Sequence, residues 1–118
     1  MNSNNKQYDL EERTLDFGKH SIDVVKKIPY NITNQKIIDQ LIRSATSVGA
    51  NYREANETET KKDFNFRIRI CRKEAKETIY WLELLLHANP TFATDIKPLI
   101  QESSEFVKIF ARIAEKSR

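Results

Sequence analysis

Apolar residues recur along this chain at steps of three and four in four successive stretches, the spacing of amphipathic helices. Over residues 9–28, Leu10, Phe17, Val24 and Ile28 form one apolar line. Leu15, Ile22 and Val25 widen it to more than a third of the circumference, enough to touch two neighbours. Pro29 closes this helix, and Asn34 is suited to cap the next. The cleanest period follows over about 35–56, in Ile38, Leu41, Ala45, Val48, Tyr52 and Ala55. The polar run 56–60 ends it and offers Thr58 or Thr60 as the next N-cap.

The third stretch opens on a conflict. Phe64, Phe66, Ile68 and Ile70 alternate with polar residues as a half-buried strand would, yet Phe64, Ile68, Cys71, Ala75, Thr78, Leu82 and Leu85 keep helical spacing through the same region. No Gly or Pro interrupts them, so helix prevails until about His87, before Asn89 and Pro90. In the fourth stretch Asp95 can serve as N-cap, with Pro98 in the first turn, where its missing N–H costs nothing. Ile96, Leu99, Ile100, Ser103, Phe106, Val107, Phe110, Ile113 and Ala114 continue as a core stripe. Four such helices joined by short loops predict an all-α, up-down-up-down four-helix bundle over 9–116, preceded by a flexible polar tail, 1–8.

Composition narrows the function. The 118 residues suit one domain, and two glycines with three prolines argue against a turn-rich β fold. No stretch approaches the roughly 18 apolar residues of a membrane span, and no apolar segment follows the polar N-terminus. The lone Cys71 excludes an internal disulfide and suits a reducing, cytoplasmic setting. His20 and His87 are the only imidazoles, and phosphate-binding glycine loops and metalloprotease or hydrolase motifs do not occur. Glu83 and His87 stand four apart, which could hold a zinc ion, whereas a di-iron bundle requires Glu-x-x-His. A histidine favouring the helix dipole explains His87 more simply. No catalytic residue, metal or cofactor is therefore expected.

The net charge is +3, and its excess lies in residues 61–87, which hold seven cations against four carboxylates. At about 100° per residue, Lys62, Arg69, Arg72, Lys73 and Lys76 fall on a face about 145° from the apolar stripe, with Tyr80 beside them. A solvated surface is one explanation; phosphate contacts with base stacking are the other. Between that face and the core lies a strip of Ile70, Glu74, Glu77 and Trp81, whose large apolar members suggest an interface. On the second helix Arg43, Ser47, Asn51 and Glu54 form a polar line beside the small residues Ser44, Ala45, Gly49 and Ala50. Small residues permit close helix approach, so that line suits a helix or subunit contact as well as bare surface.

The stretches SATSVGANYREA, from Ser44 to Ala55, and KKDFNFRIRICRKEAKETIYWLELL, from Lys61 to Leu85, resemble the four helix bundle proteins encoded in intervening sequences of 23S rRNA genes. The resemblance spans about residues 8–115. That family is similar in turn to the accessory variability determinant proteins of diversity-generating retroelements, which are basic, ring-forming homopentamers that bind nucleic acid and a reverse transcriptase. The resemblance thus implies a homopentamer, RNA-associated and without known enzymatic activity. By position it places the family's Ser-x-x-x-Asn and Glu at Ser47, Asn51 and Glu54, and its helix-three Glu at Glu77. Ala55 departs from the Gly that many members carry there. Two functions follow from the residues and the resemblance together: a non-enzymatic oligomeric scaffold binding structured RNA through helix three, or a protein-binding adaptor without nucleic-acid affinity.

Overall fold

The structure, a computed structural model, describes residues 5–118, with side chains from Leu10 onward. Of the tail expected over 1–8, residues 1–4 lie outside the described residues. Four helices follow: α1 (Asn5–Val25), α2 (Ile32–Asn56), α3 (Lys61–Ala88) and α4 (Ala93–Lys116), with a 3₁₀ turn at Pro90–Phe92 before α4. Among the described residues there is no strand.

The helix ends refine the pattern. Asn31, three residues before the expected cap, takes an extended backbone and accepts the Asn34 N–H on its side chain at 2.8 Å. Asn34 is buried instead, exchanging amide hydrogen bonds with Asn89 at 3.1 and 2.8 Å, and so ties the α1–α2 turn to the end of α3. Thr60 caps α3 through the Asp63 N–H at 3.0 Å. The 3₁₀ turn carries straight into α4, which starts at Ala93 rather than beyond Asp95. Pro98 consequently sits in the second turn, and the proton it lacks is one that the exposed Thr94 carbonyl would have accepted.

Consecutive helices run antiparallel. Arg43 reaches Glu74 and Asn51 reaches Arg67 across α2 and α3, while Arg13 meets Glu102 and Lys27 meets Asp95 across α1 and α4. α3 packs most extensively, against α2 and α4; α1 rests chiefly on α2 and meets α4 more lightly. One core fills the middle. Phe17, Leu41, Val48, Ile68, Leu82, Leu85, Ile96, Phe106 and Phe110 are its largest fully buried apolar side chains, with Phe17 and Phe106 in a T-shaped pair at 5.4 Å. Burial of such side chains stabilises by roughly 1.5–3 kcal/mol each.

α1 departs from the expected wide apolar face. Its inner line is Leu10, Thr14, Phe17, Gly18 and Ser21, and the hydroxyls of Thr14 and Ser21 return hydrogen bonds to the carbonyls of Leu10 and Phe17 at 2.9 and 2.8 Å. Leu15 and Ile22 are left exposed. The cause is the close seating of α1 on α2: a Cβ on Gly49 would lie 2.9 Å from the Thr14 hydroxyl oxygen. Small and back-bonded side chains let the backbones approach, and the bulkier residues flank the contact in a groove with Thr46 and Ala50.

Candidate nucleic-acid interface and the polar seam beside it

α3 is a 28-residue helix with two neighbours, so part of its circumference faces solvent. Lys62, Arg69, Arg72, Lys73 and Lys76 all lie there and all are exposed, with Tyr80. Among the described residues none of these five cations comes within ion-pairing distance of a carboxylate. They form one field of positive charge along the helix. Toward α4 the field continues into a groove lined by Lys61, Lys62, Asn65, Phe66, Arg69 and Arg118. Asn65 closes the floor of that groove by donating to the Ala114 carbonyl and to Ser117 Oγ at 2.7 and 3.0 Å, which pins the end of α4 against α3.

Phe66 belongs to this face although its part in the strand-like alternation concealed it. The residue is 59 % exposed, close to the 56 % of Tyr80. The available signal was angular: at 100° per residue Phe66 falls only about 40° from Tyr80 and far from Leu82 and Ala75.

The strip between the basic face and the core is organised differently. Arg43 of α2 inserts its guanidinium between Glu74 and Glu77 of α3, with Nη1 donating to Glu74 Oε1 at 3.2 Å and Nη2 to Glu77 Oε2. Glu77 Oε2 also accepts the indole N–H of Trp81 at 3.0 Å. The Trp81 hydrogen bond first, then Arg43, holds the Glu77 carboxyl below its ordinary range against the opposing effect of partial burial. The same carboxylates raise the Arg43 value, through the Glu77 hydrogen bond above all. Two turns along, Arg67 donates to Asn51 Oδ1 at 3.1 Å, and the Asn51 amide bonds the Ser47 carbonyl at 2.9 Å. Thr78 and Ser44 join hydroxyls at 2.9 Å on the core side. The structure thus brings Arg43, Ser47, Asn51, Glu74, Glu77 and Trp81 together in one seam between α2 and α3 of a single chain. Glu54 stays outside it, exposed, and Ile70 lies half-buried on its rim.

Reactive side chains are not assembled here. Cys71 is fully buried, and desolvation pushes its thiol up to about 12, which disfavours the nucleophilic thiolate. Glu83 and His87 are both exposed at the end of α3. Among the described residues no three His, Cys, Asp or Glu side chains gather as a metal site, and no helix is long and apolar enough to cross a membrane.

No curated protein matches the chain. A crystal structure of a protein with unknown function from the S23 ribosomal protein family of Bacteroides thetaiotaomicron superposes with a TM-score of 0.77. It is 32 % identical, and the match covers 88 % of this chain and 96 % of that one. The model of the 23S rRNA-intervening sequence protein family matches residues 6–112, nearly the whole bundle, and the chain belongs to that family.

Proposed function

We propose that this protein is a non-enzymatic, cytoplasmic, oligomeric scaffold that binds structured RNA through the outward face of α3. The observation that carries this reading is the set of five exposed cations, Lys62, Arg69, Arg72, Lys73 and Lys76, none of which forms an ion pair within 4.0 Å among the described residues, although Lys73 is close enough to Glu77 to favour its anion. Phosphates would supply the missing counter-charge, and release of counterions from the nucleic acid would drive the association.

Self-association is part of the proposal. The α2–α3 seam presents Trp81 and Ile70 half-buried, and a second copy seated there would cover them; a ring of five is the arrangement implied by the family resemblance. Several copies of one basic face on a single assembly would gain avidity for a long RNA. Sedimentation of the wild type and of Trp81→Ala tests this: the wild type sediments as an oligomer, and the variant shifts toward monomer with helicity retained. A monomeric wild type at micromolar concentration overturns it.

Salt-dependent retention tests the RNA reading. Binding should fall steeply between low and physiological salt, and changing Arg69, Arg72, Lys73 and Lys76 together to Glu should abolish it while the protein stays folded. Undiminished binding by that variant would assign the cations to a merely solvated face. The adaptor reading is favoured by Tyr30 and Ile32, which project exposed from the α1–α2 turn, and it predicts no salt-sensitive RNA retention at all.

A further inference from the structure

We propose that the outward face of α3 selects unpaired, single-stranded stretches of RNA over duplex, with Phe66 and Tyr80 as two base-stacking platforms. This rests on the RNA reading above and names the form of RNA that it takes. Both residues are more than half exposed, an unfavourable place for a large apolar group on a charged face unless something covers it. They stand fourteen residues apart on one helix, which at 1.5 Å per residue is about 21 Å. Arg69, Lys73 and Lys76 lie between them on the same face, and Lys62 precedes Phe66 by one turn. A backbone following the cations could lay one base on each ring, and at about 3.4 Å per stacked nucleotide the interval takes roughly six nucleotides. Interleaved aromatics and cations suit single strands, because base faces are free only where bases are unpaired; a duplex hides them in its own stack.

The Tyr80 platform is prepared in advance. Glu77 fixes the Trp81 indole through its N–H at 3.0 Å, and Arg43 fixes Glu77. Tyr80 forms a T-shaped pair with that indole, with centroids 5.0 Å apart and planes at 77°. A ring held against a fixed neighbour loses little freedom when a base settles on it. Phe66 has a different support: it borders the groove between α3 and the end of α4, where Lys61, Lys62 and Arg69 stand ready for the adjoining phosphates, while Arg118 there is paired with Glu115.

The test is a titration at low salt with an oligouridylate of about twelve nucleotides and with an RNA duplex of the same length. Binding is followed by anisotropy of the labelled RNA and by emission of Trp81, the only tryptophan. Phe66→Ala and Tyr80→Ala should each weaken single-strand binding roughly 5- to 150-fold, the range for one stacked base, and duplex binding by less than about twofold. Tyr80→Phe should retain affinity, and the change in Trp81 emission on binding should vanish in Tyr80→Ala. Both residues are exposed, so circular dichroism should show the bundle intact. If both alanine variants bind the single strand as the wild type does, or if the wild type prefers duplex, the stacking proposal fails and the RNA reading stands. If the wild type binds neither probe, both fail together.

Discussion

α3 carries charge on two faces, and they are satisfied in opposite ways. On its α2 side, Glu74 and Glu77 share Arg43, Trp81 joins Glu77, and Arg67 is held by Asn51. On its outward side, Lys62, Arg69, Arg72, Lys73 and Lys76 stand exposed without a direct ion pair among the described residues, Lys73 acting on Glu77 only from a distance. The same residue types therefore serve two ends. A partly buried charge that lost its partner would cost desolvation without compensation, so the seam keeps its ions paired and thereby sets the register of α2 against α3. An exposed cation costs nothing by being unpaired, and only such a cation has its field free to attract a polyanion.

The comparison can be broken most severely from beneath. Leu82, which lies under both faces and is fully buried, should cost about 2–5 kcal/mol on truncation to Ala, by lost burial and the cavity left behind. Chemical denaturation measures this, and an unchanged midpoint would mean that the faces of α3 have been assigned wrongly.

Arg43→Ala sharpens the contrast. The Glu74 side chain is only 10 % exposed and would lose its cation, while the Arg43 side chain is 44 % exposed and its pairing is screened by solvent. The expected loss is about 1–2 kcal/mol, below the 3–5 of a fully buried pair. Arg72→Ala, on the outward face, should leave the thermal midpoint where it is. Equal effects from the two arginines would erase the distinction between the faces.

A smaller effect is expected from pH. Glu77 is held below its ordinary value of 4.5 in the folded chain, so the anion is favoured by folding. Its contribution is fully present above the unfolded value and is lost as pH falls through the depressed folded one. Glu77→Gln should therefore flatten the acid limb of stability below about pH 4.5 and change nothing in how RNA binding varies near neutrality. The smallest change belongs to a single outward cation. Lys76→Ala should lower the slope of log affinity against log salt by up to about 1, with stability unaltered.

Much of this was legible in the chain. The three- and four-residue spacing of Leu41, Ala45, Val48, Tyr52, Ala55 and of Ile68, Cys71, Ala75, Thr78, Leu82, Leu85 marked residues that are all buried. The outward cations and Tyr80 followed from the same geometry, because whatever lies opposite a buried stripe is exposed. What escaped were positions on the flanks. Leu15 and Ile22 are as apolar as Phe17, yet Gly49 and Thr14 draw α1 so close to α2 that larger side chains are displaced into the groove beside the contact. Phe66 was obscured for a related reason, since an apolar residue in a strand-like alternation carries no sign of whether a neighbour will cover it.

Periodicity, helix-stopping residues and short connections are local, and they were enough to settle four helices, their antiparallel order and the centre of each buried stripe. The identity of each neighbour on a helix flank is not local. Arg43 meets Glu74 and Glu77 across 31 and 34 residues of sequence, at a distance set by how closely small side chains let two backbones approach. The tertiary structure alone therefore decided which charges neutralise one another in the α2–α3 seam and which remain open on α3, because a flank becomes surface or contact only when a second helix is put beside it.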